Sequence, residues 1–207
     1  MTEWPATVSF KRRKLPHWRV AGRPYFVTFH LKHSLPTLVI TALQKERRQM
    51  LRECASPMLM DKFARREFLA IEAILDTTDG PQTYLRHPDI AGQVLASFSK
   101  LNKRYGWRFP CLVVMPSHVH CLVTGQADAT VSLERVLGFL KHFTAVQANK
   151  LLHRHGAFWA TENFDHWSRT PMHTERICNY ILNNPVKAGL VKSWHDWPWL
   201  RMSNNDL

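Results

Sequence analysis

The feature that most constrains the fold is a pair of apolar runs, residues 107–115 and 119–124, separated only by Pro116, Ser117 and His118. Both are apolar and carry β-branched valines, and so short a link joins them most simply as an antiparallel hairpin. The second run is entered through His118-Val119-His120. Side chains at i and i+2 of a strand share one face, so the two imidazoles project together while Val119 turns into the packed side. That is the geometry of a two-point metal grip, and equally that of two ordinary partly buried histidines.

Elsewhere the pattern mixes strands and helices. Tyr25-Phe26-Val27-Thr28-Phe29-His30-Leu31 reads as a central strand with Thr28 and His30 on one face. Helical spacing covers residues 41–54 and 62–75, and in the second stretch Phe63, Phe68, Ile71, Ile74 and Leu75 form the inner stripe, with Arg65, Arg66, Glu67 and Glu72 largely outside. Thr77-Thr78-Asp79-Gly80-Pro81 is a break, and Pro88-Asp89 opens another amphipathic helix that ends before Gly106. A long helical pattern starts at Ser132 and runs towards Gly156, decorated by Lys141, His142, Lys150, His153 and Arg154. Gly156-Ala157-Phe158-Trp159 reads as a short strand or turn. A last helix, residues 172–184, stops at Pro185, which has no amide hydrogen to continue the ladder.

With 207 residues the chain fits one hydrophobic core. Three segments are expected: a basic arm over residues 1–21, a domain over 22–192, and an aromatic tail over 193–207 that carries Trp194, Trp197 and Trp199. Lys and Arg number 28 against 16 Asp and Glu, a net charge of +12, and the sequence pI is near 10.0. Such an excess attracts polyanions, and nucleic acid is the partner it fits best. No apolar stretch is long enough to cross a bilayer and residues 1–10 hold no apolar signal core, so the expectation is a cytoplasmic protein acting at the nucleoid, with no membrane partner. Cys54, Cys111, Cys121 and Cys178 show no CxxC pair and read as small buried residues rather than as a disulfide or zinc framework.

The second chemical signal is Asn179-Tyr180-Ile181-Leu182-Asn183-Asn184-Pro185. On a helix Tyr180 and Asn184 are one turn apart and share a face, whereas Asn183 points differently. A histidine pair with a tyrosine and an amide is a nuclease-like constellation. Each part alone has an ordinary structural explanation: a core tyrosine with a bonded hydroxyl, and a helix end followed by a breaker.

Val114-Met115-Pro116-Ser117-His118-Val119-His120-Cys121-Leu122-Val123 resembles the HUH signature of the single-tyrosine, IS200-like transposases, and the stretch from Tyr180 through Asn184-Pro185-Val186-Lys187-Ala188-Gly189 to Val191 resembles the nucleophile helix of their REP-associated tyrosine transposase branch. Arg23-Pro24-Tyr25-Phe26, Gly156-Ala157-Phe158-Trp159 and Asp196-Trp197-Pro198-Trp199 are similar to the same branch, so the likeness touches most of the chain from Gly22 onward. The resemblance implies an α+β single domain, a ferredoxin-like central antiparallel sheet flanked by helices. It implies His118, His120 and Asn184 as ligands of a divalent metal, Mg²⁺ or Mn²⁺, and Tyr180 as nucleophile. It implies a DNA endonuclease and strand transferase that recognises palindromic hairpins in single-stranded DNA, forms a covalent 5′-phosphotyrosine intermediate, and works as monomer or homodimer.

The chemistry accounts for these residue types. A tyrosine with a pKa of about 10 is a poor nucleophile at neutral pH, and a divalent cation on a non-bridging oxygen makes the phosphodiester easier to attack. A covalent link conserves bond energy, in keeping with the lack of a GxxxxGK[ST] nucleotide loop and of a nucleotide cofactor. Two imidazoles and an amide favour a late transition metal on softness alone, and manganese satisfies both considerations. His173, Glu175, Glu162 and Asp165 lie near Tyr180 in sequence, but none is singled out as its general base. Lys11, Arg12, Arg13, Lys14, Lys141 and Lys187 are the candidate DNA-binding residues. Two other readings stand beside this one. The chain is a non-catalytic hairpin DNA-binding protein, or a phosphoesterase using HxH without a covalent tyrosine; the latter needs paired HxT or HxS motifs, and only His142-Phe143-Thr144 fits, on a helical stretch.

Overall fold

The predicted hairpin sits at the centre of a five-stranded antiparallel sheet. The computed structural model describes residues 7–12, 16–20, 22–53, 57–77, 82–125 and 131–203. Arg13, Lys14, Cys54 and the break at 78–81 lie outside the described residues. The basic arm contains a two-stranded antiparallel pair, β1 (Thr7–Arg12) and β2 (Pro16–Val20), in which Lys11 pairs with His17 and Arg12 with Pro16.

The main sheet is built from β3 (Tyr25–His30), β4 (Trp107–Val114), β5 (His118–Gly125), β6 (Phe164–Trp167) and β7 (Leu200–Met202), in the order β6-β3-β5-β4-β7. β3, β4 and β5 are buried on both faces, which is why they read as nearly continuous apolar runs. Tyr25, Val27, Phe29, Leu112, Val114, Val119, Cys121 and Val123 meet one core, and Phe26, Cys111, Val113 and Leu122 meet the other. Cross-strand pairs set the register: His30 lies opposite His118 and Thr28 opposite His120, so all four polar side chains share the second face.

The described residues form five α-helices: α1 (Thr37–Arg52), α2 (Pro57–Leu75), α3 (Pro88–Tyr105), α4 (Leu133–Leu151) and α5 (Pro171–Lys187). α3 and α4 bury Ile90, Val94, Phe98, Val136, Leu137 and Leu140 in the first core. α3 starts with Pro88 in its first turn and ends at Gly106, whose φ of 68° is the left-handed conformation a glycine takes without strain. Burying a ring such as Phe98 stabilises the fold by about 1.5–3 kcal/mol relative to leaving it exposed. On the second face α5 contributes Ile177, Cys178, Ile181 and Leu182. The carboxyl-terminal half of α2 joins it there, with the Phe68 ring 5.5 Å from Phe26 and 6.1 Å from Tyr180.

Two expectations change. Glu67 and Glu72 are buried rather than outside: Glu67 pairs with Arg47 of α1, and Glu72 faces the sheet histidines. α5 runs through Pro185 to Lys187 instead of stopping at Asn184. Proline removes one amide donor, but the helix has only two further residues to carry, and it closes with Gly189 N–H on the Val186 carbonyl and Leu190 N–H on that of Pro185, with Gly189 at φ 67°. The expected short strand at Phe158-Trp159 is a single bridge from Trp159 to Leu31. The tail packs back: β7 pairs with β4, Trp199 accepts from Val114 N–H at 2.8 Å, and Trp197 Nε1 donates to the Val114 carbonyl at 3.0 Å. β6 and β7 are edge strands of four and three residues, too short for a period-two pattern to reveal.

Candidate active site

The two-residue turn Pro116-Ser117 is clamped from three sides. Met115 N–H donates to the His118 carbonyl, Leu31 N–H to that of Ser117 and Leu85 N–H to that of Pro116. The Ser117 hydroxyl donates to the Leu75 carbonyl at the end of α2 and lies 3.1 Å from Nδ1 of His118. A hydroxyl whose hydrogen is committed to a carbonyl accepts from Nδ1–H, which leaves Nε2 of His118 as a free lone pair. Nδ1 of His120 is hydrogen-bonded to Thr28 Oγ1 at 2.8 Å. Both histidines are fully buried, with ring centroids 4.5 Å apart.

Glu72 completes the cluster. Its Oε2 lies 3.0 Å from Nε2 of His120, and one ligand atom from each of Glu72, His118 and His120 falls within 4.8 Å of the others. The Tyr180 hydroxyl donates to the same Oε2. Phe26 walls the site, with its ring 5.4 Å from that of His120 and 5.8 Å from that of Tyr180. Asn184, one turn after Tyr180, is wholly buried. Among the described residues neither of its amide atoms has a hydrogen-bond partner, nor has His118 Nε2 or Glu72 Oε1.

The electrostatics suit a cation. Burial, and then the neighbouring His120, keep His118 well below the usual imidazole range, so it is neutral. Burial works to raise the Glu72 carboxyl, but His120, then His118 and the Tyr180 hydroxyl, bring it down to about 2. A neutral imidazole and an ionised carboxylate are the protonation states that metal ligation requires. Orphaned lone pairs in a buried cluster are costly unless something binds them. The donor set of two imidazole nitrogens and a carboxylate therefore fits a divalent ion. Tyr180 is pushed well above the ordinary tyrosine value by burial and by the Glu72 charge, with Asn184 opposing.

The sequence candidates fall into three groups. His118, His120, Tyr180 and Asn184 come together on the second face of the sheet. Lys187 lies beside them, its ammonium 2.6 Å from Asp76 and 5.7 Å from the centroid of the Tyr180 ring. Lys141 is elsewhere, on α4, where it lines a cavity of about 320 Å³ and donates to the Ala160 and Thr161 carbonyls and to Asn163 Oδ1. Of the neighbours considered as a base, His173 accepts from Arg169 N–H, and the tyrosine hydroxyl is met by Glu72 instead.

Glu72, Asp76, Ser117 and Thr28 are the contacts that sequence reasoning missed. A signal existed for the first: Phe68, Glu72 and Leu75 follow the i, i+4, i+7 spacing of one helix face, and a carboxylate on an apolar stripe is an anomaly that calls for a partner.

No family model matches the chain. An antiparallel sheet with helices on both faces defines the fold class, one shared with a solved transposase structure. Within that class the chain is similar to the REP-associated tyrosine transposases, as its motifs indicated. It is 22% identical over 129 residues to a Haemophilus influenzae protein named for that family, a match spanning 58% of this chain and 72% of the relative. It superposes with a TM-score of 0.56 on the structure of a REP-associated tyrosine transposase bound to a REP hairpin, at 17% identity, covering 93% of this chain and 82% of that one. A crystal structure described as a transposase from Deinococcus radiodurans is 13% identical, with a TM-score of 0.41 over 89% of this chain and 98% of that one. That value is too low to carry weight. Among the described residues no helix is long and apolar enough to cross a membrane.

Proposed function

We propose that this protein is a metal-dependent single-stranded DNA endonuclease and strand transferase that recognises palindromic hairpins and cleaves through a covalent tyrosine link. One observation carries the reading: a single carboxylate oxygen, Glu72 Oε2, touches both the candidate nucleophile Tyr180 and the metal-binding histidine His120.

His118, His120 and Glu72, joined by Asn184, would hold the ion. Glu72 and Asn184 add oxygen donors to the two imidazoles, which moves the preference towards Mn²⁺ or Mg²⁺. A divalent cation bound there supplies Lewis-acid polarisation of a non-bridging phosphate oxygen. Glu72 orients the phenol oxygen through its hydrogen bond, and Phe26 keeps water from the ring's inner side. The Lys187 ammonium over the Tyr180 ring favours the negative charge that develops as Oη passes its proton to Glu72 Oε2, the oxygen it is hydrogen-bonded to. Oη then forms a bond to phosphorus, the P–O3′ bond breaks, and the departing 3′ oxygen takes a proton. The product is a 5′-phosphotyrosine and a free 3′ hydroxyl, and the reverse sequence joins strands. The hairpin partner is drawn from the relative bound to a REP hairpin and from the net charge of +12. Lys11, Arg12, Arg13 and Lys14 of the arm, together with Lys187, are the proposed phosphate contacts. Lys141 is assigned to the stem only through the loop it braces.

The deciding experiment incubates purified protein with Mn²⁺ and a 3′-labelled single strand carrying a palindromic repeat from beside its own gene. A labelled covalent adduct is expected, together with a loss of at least about a thousandfold in Tyr180→Phe. Hairpin binding without an adduct in any divalent metal overturns the enzyme reading in favour of a hairpin-binding protein.

A further inference from the structure

The solvent side of the α3–α4 layer lies across the sheet from Tyr180, and it is unusual in two ways. Phe139 and Phe143, one turn apart on α4, are 42% and 44% exposed, and Val146 on the same stripe is 50% exposed. Among the described residues, every charge set among these side chains is positive. Arg135 lies over the Phe139 ring at 5.9 Å, Lys100 over Phe143 at 5.6 Å and Arg104 over Tyr105 at 5.3 Å. Tyr105 stacks on Phe139 with centroids 5.6 Å apart and planes 26° from parallel, so the shelf crosses from one helix to the other. Lys150 extends it along α4.

The acids are elsewhere. Glu134, the acidic residue of α4, faces the cavity on the opposite flank with Lys141, and Asp89, the acidic residue of α3, is in that helix's first turn. Exposed aromatics on a core-forming helix cost solubility unless they serve a contact. A second copy of this chain is a poor occupant, because two such faces would bring like charges together with no acid to offset them. A single nucleic-acid strand fits on both counts: its bases stack on the rings and its phosphates meet the cations. The step from Phe139 to Phe143 is about 6 Å along the helix axis, comparable to one nucleotide of an extended strand.

We infer that the α3–α4 face is a second DNA-binding surface, which holds the unpaired strand flanking the hairpin by base stacking on Phe139 and Phe143 and phosphate contacts to Lys100, Arg104 and Arg135. The choice of DNA as ligand rests on the proposed function, but the site is separate from the catalytic cluster and is read separately.

The test uses the full chain and fluorescence anisotropy with labelled oligo(dT), which forms no hairpin, beside the tyrosine adduct assay on the hairpin substrate. The doubly substituted Phe139→Leu/Phe143→Leu protein keeps apolar bulk and loses the rings, and its melting curve reports folding. Oligo(dT) affinity is expected to fall about tenfold or more, to recover with Phe139→Tyr/Phe143→Tyr, and to leave adduct formation on a minimal hairpin unchanged. Unchanged oligo(dT) affinity in the leucine variant overturns the inference. So does concentration-dependent dimerisation, or binding to anionic phosphatidylserine vesicles, that the substitutions abolish while oligo(dT) binding persists. If the hairpin adduct is absent in the wild-type protein but the leucine variant still loses oligo(dT), the catalytic reading fails and this surface stands.

Discussion

The carboxylate of Glu72 stands 3.0 Å from Nε2 of His120, although one residue is on a helix that precedes α3 and the other on the central strand. This contact links α2 to the sheet at the point where the Tyr180 hydroxyl also arrives.

Glu72→Gln keeps the shape and removes the charge. Mn²⁺ affinity measured by calorimetric titration is expected to fall at least about tenfold, because the ion loses its anionic donor. Equal affinity in the variant and wild type would remove Glu72 from the ligand set.

Asn184 separates stability from function. Its buried amide has no hydrogen bond among the described residues, so in metal-free buffer Asn184→Leu is expected to raise unfolding stability by about 1 kcal/mol in a denaturant titration. The same variant should bind Mn²⁺ more weakly. A loss of stability in the absence of metal would show that the amide is satisfied and is not waiting for an ion.

Ser117 is predicted to act on the metal at one remove. Ser117→Ala deletes the hydroxyl that bridges Leu75 and Nδ1 of His118. It is expected to cost about 1–2 kcal/mol of stability and about ten- to a hundredfold in Mn²⁺ affinity, with Ser117→Thr recovering part of both. Titrations of the two variants decide it.

His30 gives the metal-free protein a pH dependence. Burial lowers its pKa from 6.5 to about 4, with the Leu31 carbonyl opposing. Below pH 6.5 the unfolded chain takes up a proton that the folded imidazole refuses until about pH 4, so stability falls as pH drops through that window. The loss approaches about 3 kcal/mol across it. Denaturant titrations in chelator at pH 7, 5.5 and 4 should show the decline, with a shallower slope in His30→Gln.

Local patterns determined a good deal of this molecule. Short apolar runs specified the strands at Tyr25 and around Pro116, and strand alternation put His118 and His120 on one face. Helix spacing fixed Tyr180 and Asn184 on another, whatever helix bounds apply, because a four-residue offset is internal to the helix. Those are short-range consequences of backbone geometry, and a linear chain displays them. The meeting of the two pairs is not of that kind. It depends on α5 packing across β4 and β5, and on α2 bringing Glu72, 46 positions before His118 in the chain, to the same point. Glu72 read as solvated because charged side chains usually are; only the closed tertiary structure shows that two imidazoles and a phenol replace its water. The edge strands at Phe164 and Leu200 were hidden for the same reason, since three or four residues carry too little pattern, and a strand that short forms only where a neighbour's free edge offers the hydrogen bonds.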